Sequence, residues 1–279
     1  MPVNAIRFVR KLRGGAQAHL MECDDGKFYV VKFRNNPQHR RILVNEWIAA
    51  VLLNYLQISI PDVAIVNINS EFLESNPEIG IQLGSRRIEV EPGWHFGSAY
   101  PGDPARTAVY DFIPDLLLDK VVNLADFRGV LVFDKWAGNA DSRQSVFFRA
   151  RLKPPGIAGA DTAPARTGFV ANMMDHGYIF DGPHWTFADS PLQGLYFRPI
   201  VYENVRSWND FEPWLSRVVN FPEEVVDDAL KQLPPEWMEG DEEPLDALLR
   251  KLMNRRKRVP DLVRESKNGR INPFPNWAV

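Results

Sequence analysis

The sequence predicts an α+β fold, with a small antiparallel sheet carrying one helix, then a larger and mainly helical part, and a cleft between the two. Three observations carry this expectation. Residues 5–33 fall into short apolar runs separated by turn residues, residues 41–56 switch to helical spacing, and the chain beyond Trp185 reads as helices punctuated by proline.

The apolar runs at residues 5–12, 19–22 and 28–33 read as three antiparallel strands. Arg13-Gly14-Gly15-Ala16-Gln17 separates the first two, and Asp24-Asp25-Gly26, a hairpin turn signal, separates the second pair. Over residues 41–56, Val44, Trp47, Ile48, Val51, Leu52 and Tyr55 recur at spacings of three and four without Gly or Pro, which predicts a helix of about four turns. Pro61 introduces another strand at residues 63–68. Residues 69–111 carry Pro92-Gly93 and Pro101-Gly102-Asp103-Pro104 and read as strands joined by loops that bridge to the second part. Residues 116–136 are again helical, broken near Asn123, and Gly138 stands where a helix ends because glycine tolerates the left-handed conformation. A tight loop follows at residues 138–145, then a pair of strands at 146–152 and 167–173 joined by a mobile Pro/Ala/Gly-rich connection at 154–166. Pro213, Pro222, Pro234-Pro235 and Pro244 divide the helices of the remainder, which is expected to end helical. The expected units are residues 1–112 and 113–279.

Composition narrows the function classes. With 45% hydrophobic, 25% charged and 11% aromatic residues in 279, the chain has enough apolar material for a substantial core, and disorder is excluded as its dominant state. A net charge of −3 removes any global electrostatic reason for nucleic-acid binding. The one cysteine, Cys23, cannot form an internal disulfide, and no apolar run is long enough for a membrane span, so a cytoplasmic protein with no membrane partner is expected. The five histidines lack the close spacing of zinc sites. The basic stretch around Arg250-Lys251 and Arg255-Arg256-Lys257-Arg258 reads as a solvated helix face and receives no role. The aromatic residues Trp94, Phe96 and Trp185 read as packing, and no adenine pocket can be named.

The residues that look chemical stand in a definite order. Gly14-Gly15-Ala16-Gln17 permits a tight turn whose backbone N–H groups face an anion. Lys32 lies in an apolar strand and requires a negative partner if buried; alone, it reads equally as a lysine reaching solvent from a strand edge. Glu46 has only apolar neighbours at three and four residues, Ile42, Leu43, Ala49 and Ala50, with Leu53 one turn further on, so its carboxylate points toward protein and answers Lys32. Asp141 follows the second long helix in a polar loop, and Asp175-His176-Gly177 follows an apolar strand, where an Asp at a sharp turn can bind a metal. Glycine turn, strand Lys, helix Glu, post-helix Asp and strand-end Asp-x-Gly follow the order that phosphoryl transfer from ATP requires in a kinase-type cleft.

On these residues the sequence resembles the HipA family of bacterial serine/threonine kinases, in particular its short stand-alone HipA-like kinase domain proteins. The matching stretches are Gly15-Ala16-Gln17, Val30-Val31-Lys32, the run VNEWIAAVLLNYLQISIPDVAIV, FDKWAGNAD ending at Asp141, and MMDHG containing Asp175. The resemblance implies a bilobal protein-kinase-like fold and an ATP- and Mg²⁺-dependent kinase. It also implies that Lys32 holds the ATP phosphates while paired to Glu46, that Asp141 is the catalytic base and that Asp175 ligates Mg²⁺. A protein serine is the implied acceptor, and an antitoxin-like partner is possible. Two departures stand out. Val146 occupies the position where the family has a second metal-ligating Asn, leaving Gln144 or Ser145 to substitute or Asp175 to hold one metal alone, and no Ser or Thr precedes Ser59, so silencing by autophosphorylation near the phosphate loop cannot operate. Because the chain begins almost at the first strand, the resemblance leads to the expectation that the extra N-terminal module of longer HipA proteins is missing. Val146 motivates one alternative, an impaired nucleotide-binding pseudokinase; a kinase of a small-molecule or lipid acceptor is the other, because fold does not specify the acceptor.

Overall fold

The computed structural model describes residues 2–152, 166–269 and 272–277. The chain opens with β1 (Val3–Lys11), β2 (His19–Cys23), β3 (Phe28–Lys32), α1 (Arg41–Leu56) and β4 (Val63–Ile68). A short α2 (Ser70–Ser75), the hairpin of β5 (Ile81–Leu83) and β6 (Arg86–Ile88), and β7 (Gly93–Ala99) follow. β1, β2, β3, β7 and β4 form a closed barrel in that order. All neighbours pair antiparallel except at the closure, where Val3 and Asn4 of β1 lie parallel to Val66 and Asn67 of β4. The antiparallel sheet expected from the sequence is therefore corrected to a barrel, because a strand beyond α1 returns to cover the free edge of β1 and leaves no open edge there.

Strand alternation decides what the barrel shows to its surroundings. Tyr29 and Val31 of β3 point into the barrel with Met21, Val66 and Ile68, so Val30 and Lys32 point outward. Gly97 is required inside, since a Cβ there would stand 2.6 Å from Val66 Cγ2.

The second half begins with β8 (Val109–Tyr110) and a 3-10 helix at Asp115–Lys120, followed by α3 (Asp126–Ala137). Gly138, at φ +60°, ends α3 in the left-handed conformation. β9 (Gln144–Leu152) pairs antiparallel with β10 (Arg166–Met174), and β8 adds to the other edge of β9. Gln144 and Ser145 thus belong to a strand, not to the tight loop expected at 138–145. The connection expected to be mobile at 154–166 lies outside the described residues, apart from its last member. The helices α4 (Trp214–Val219), α5 (Glu223–Lys231), α6 (Pro235–Met238), α7 (Glu242–Arg255) and α8 (Val259–Glu265) complete the chain. Residues 272–277 are not helical, against expectation: Pro273 and Pro275 deny the backbone the donors a helix needs, and Phe274 and Trp277 instead pack on Phe211.

Buried side chains fall into two clusters, one inside the barrel and a larger one running from α1 through α3 to the C-terminal helices. α1 is buried on almost every side, with Leu43, Ile48, Leu52 and Leu53 fully enclosed, as expected of a helix apolar around its whole circumference. The late basic stretch is not simply a solvated face. Arg255 is buried, donating to the carbonyls of Lys135 and Trp136 and to Asp189, while Arg258 joins the same aspartate. Among the described residues no helix is long and apolar enough to cross a membrane.

Candidate active site

Outward-facing β3 and the end of β10 meet at a cleft of about 450 Å³. Its walls include the turn at residues 14–17, Lys32, Asp111, Gln144, Val146 and Asp175.

Lys32 lies at the centre. Its Nζ donates to Glu46 Oε1 at 2.5 Å and to Asp175 Oδ1 at 2.7 Å, with side-chain exposures of 12% for Lys32, 4% for Glu46 and 34% for Asp175. Burial alone would lower the lysine's pKa, but the two carboxylates outweigh it and raise the pKa, so the ammonium is held protonated. Burial would raise the pKa of Asp175 in turn; the Lys32 charge and hydrogen bond, reinforced by Arg143 and Gln144, hold it below the ordinary carboxylate range. Glu46 has a second duty, since its Oε2 accepts the backbone N–H of His176 at 3.1 Å.

The segment after β10 is held by α1 through side chains whose importance the sequence did not reveal. Asn45, fully buried, donates to the carbonyls of Gly177 at 2.7 Å, Ile179 at 3.2 Å and Gly182 at 3.0 Å, and its Oδ1 accepts the indole N–H of Trp185 at 2.8 Å. Gly177 lies so close to α1 that a Cβ would stand 2.5 Å from Ile42 Cγ2. Asp175 itself sits at φ +58°, a left-handed conformation that Asp and Asn tolerate better than most residues. An Asn-Glu pair on α1 and a positive-φ Asp at a strand end therefore form one local unit.

Gly14-Gly15-Ala16-Gln17 forms a turn closed by the Gln17 N–H on the Gly14 carbonyl at 3.1 Å, with Gly14 at φ +132°. Gln17 lines the cleft, but its side-chain amide is engaged on both the N–H and the carbonyl of Gln82. What the turn offers a ligand is backbone.

Asp141 does not itself line the cleft but lies next to Gln144, which does. Its Oδ1 accepts the Ser142 N–H at 2.7 Å, and its Oδ2 lies 3.5 Å from Gln144 Nε2. The Gln144 side chain also contributes to holding the pKa of Asp175 down. Val146 pairs with Asn172 of β10, whose Oδ1 accepts from the Ser59 hydroxyl at 2.8 Å. Among the described residues no group of three or more His, Cys, Asp or Glu is gathered so as to hold a metal. The donors at and beside the cleft are oxygen-bearing all the same: the Asp175 carboxylate on its wall, the neighbouring Asp141 carboxylate and, if its amide is turned over, Gln144. That donor set suits a hard divalent cation.

Beneath these groups lies a network that the sequence did not reveal. Arg143 is bound to Asp134 of α3 through two hydrogen bonds, one of them Nε to Oδ2 at 2.8 Å, and both side chains have 0% exposure. Burial alone would lower the arginine's pKa, and the aspartate reverses that. Arg143 Nη1 can only donate, so His176 Nδ1, 3.1 Å away, must accept, and the ring proton resides on Nε2, 3.3 Å from the Met173 carbonyl. Burial, then the neighbouring positive charges, keep this imidazole's pKa well below the ordinary value.

A family model described as HipA-like kinase matches residues 5–147, just over half of the chain. No curated protein matches the chain. Among solved structures, the Golgi casein kinase with Mn/ADP bound is 13% identical, with a TM-score of 0.48, over 96% of this chain and 73% of that one. A second structure of the Golgi casein kinase is 12% identical, with a TM-score of 0.48, over 96% of this chain and 72% of the other.

Proposed function

The chain belongs to the HipA-like kinase family, and from that premise we propose that it transfers the γ-phosphoryl group of Mg²⁺-bound ATP to a hydroxyl, that of a serine or threonine in a partner protein. The observation that carries this reading is the placement of Lys32, a protonated ammonium shared between Glu46 and Asp175 on a cleft wall that also presents the glycine turn. Such a cation, held in place before any ligand arrives, can bind phosphate oxygens without reorganising.

The chemistry asks mainly for positioning and neutralisation of charge. Lys32 binds the phosphates while Glu46 keeps its ammonium directed at the cleft. The turn at residues 14–17 contributes backbone N–H groups toward the phosphate chain. Asp141 stands as the proton acceptor for the incoming hydroxyl, its carboxylate oriented by the Ser142 N–H. Asp175 and Gln144 would hold the divalent cation, which when bound neutralises phosphate charge. The lone buried Cys23, with its thiol pKa pushed up to about 12 by burial, is unreactive and suits a reducing cytoplasm.

Incubating the purified protein with γ-labelled ATP, Mg²⁺ and cell extract tests the reading. Label should enter the protein fraction, and Lys32→Met, Asp141→Asn and Asp175→Ala should each abolish transfer. Label appearing only in small-molecule or lipid fractions would replace the acceptor while keeping the enzyme.

Val146, apolar where the family has a metal-ligating Asn, favours one second reading, a nucleotide-binding pseudokinase. It predicts that ATP with Mg²⁺ raises the thermal midpoint without turnover. No thermal shift with both present would count against either reading.

A further inference from the structure

Asp134 carries two arms that end on the two functional aspartates. Along one, Asn139 Nδ2 donates to Asp134 Oδ1 at 3.0 Å while Asn139 Oδ1 accepts the backbone N–H of Asp141 at 3.1 Å. Along the other, Arg143 binds Asp134 through two N–H groups and extends Nη1 to the Met174 carbonyl at 2.8 Å and to His176 Nδ1 at 3.1 Å, the residues on either side of Asp175. Packing closes around this junction: the Gly194 N–H donates to the Asp141 carbonyl at 3.2 Å, and Gly194 lies against Asp134 with no room for a Cβ.

We propose that Arg143, anchored by Asp134, is a positioning residue that sets the loop bearing Asp141 and the strand end bearing Asp175 in fixed relation to each other. The proposal rests on the phosphotransfer reading for its consequence, though its geometry does not. A buried ion pair is poor evidence of stabilisation, because two apolar residues of similar volume fill such a site as stably or more so. What they cannot do is direct a planar fork of donors to acceptors on two chain segments at once. Lysine cannot do so either, since one ammonium lacks the separation between donors that reaches both Asp134 and Met174. The separation of the two aspartates decides whether phosphate, cation and acceptor hydroxyl line up, and a misplacement of about 1 Å costs on the order of 100-fold in rate.

The test uses the full chain with two variants, Asp134→Leu/Arg143→Met and Arg143→Lys. It reads the unfolding midpoint, steady-state kinetics, and the gain in affinity for a non-hydrolysable ATP analogue when Mg²⁺ is added. The double variant should unfold cooperatively and bind the analogue without Mg²⁺ within about threefold of wild type, while kcat falls about 100-fold and the Mg²⁺-dependent gain disappears. Arg143→Lys should show the same split, with kcat lost and KM little moved. A folded variant that keeps both kcat and the Mg²⁺ gain within about threefold of wild type overturns the proposal. Loss of cooperative unfolding in both variants also overturns it, reducing the pair to a folding role. If wild type binds nucleotide but transfers nothing, the phosphotransfer reading fails instead, and the Mg²⁺ gain still decides the role of Arg143.

Discussion

Lys32 has two carboxylate partners of unequal character, and this sets what each substitution should do. Glu46 is almost wholly buried and Asp175 is partly open to the cleft. Lys32→Met therefore leaves Glu46 as a buried charge without a counter-ion and should destabilise the protein by about 3 kcal/mol, whereas Lys32→Met/Glu46→Gln removes both charges, keeps an oxygen for the His176 N–H and should recover most of that loss. Urea denaturation of the two variants checks this; equal destabilisation in both would refute it. The pairing was legible before the fold was known, because an apolar environment on β3 and another on α1 each left a charge in need of a partner. The third member was not: nothing in the sequence places Asp175, 143 positions from Lys32, on the same ammonium. Gln17 shows the opposite limit, since its place in a glycine turn suggested a ligand contact while its side chain is committed to Gln82.

At the scale of elements, α1 ties the barrel to the segment that follows β10. The Asn45 amide spans three carbonyls of that segment and takes the Trp185 indole, so Asn45→Ala would leave buried backbone acceptors and an indole N–H unpaired. With unsatisfied buried groups costing about 1–3 kcal/mol each, and some relaxation among them, a loss of about 3 kcal/mol in denaturant stability is expected, together with altered Trp fluorescence. A loss below about 0.5 kcal/mol would mean that Asn45 carries none of this burden. Helical spacing alone revealed residues 41–56 as a helix, and the boundaries of α1 coincide with that range. β8 was not legible, because a two-residue strand has no alternation to read, and its pairing with β9 made a three-stranded sheet where two strands were expected.

Across the whole molecule, buried imidazoles set a dependence on pH. His19, His95 and His176 are all buried, and burial lowers each pKa first, that of His95 to about 3. In the unfolded chain these groups take up a proton near pH 6.5, while in the folded chain they remain neutral to lower pH. Stability is thus fully present above about pH 6.5 and falls as the pH drops below it, by at most about 1.4 kcal/mol per pH unit for each imidazole. Carboxylates with lowered pKa values, such as Asp175, Asp189 and Asp241, lose their contribution only at lower pH, near the carboxylate range. Denaturant midpoints should therefore fall between pH 7.5 and 5.5; an unchanged midpoint over that interval would show that the imidazoles are not held neutral.

The linear chain determined what repeats locally: four of the five strands of the barrel, the helix α1, the glycine that ends α3, and the order of charged residues on which the proposed phosphotransfer reading rests. Each of these depends on neighbours within a few positions, where side-chain periodicity and turn chemistry act. Tertiary structure alone decided that the sheet closes into a barrel, that Arg255 points inward, and that Asp134 and Arg143 meet beneath the cleft. Those outcomes depend on which distant surfaces become buried together, and a buried charge reveals its partner only when the chain has folded and removed the water that would otherwise have solvated it.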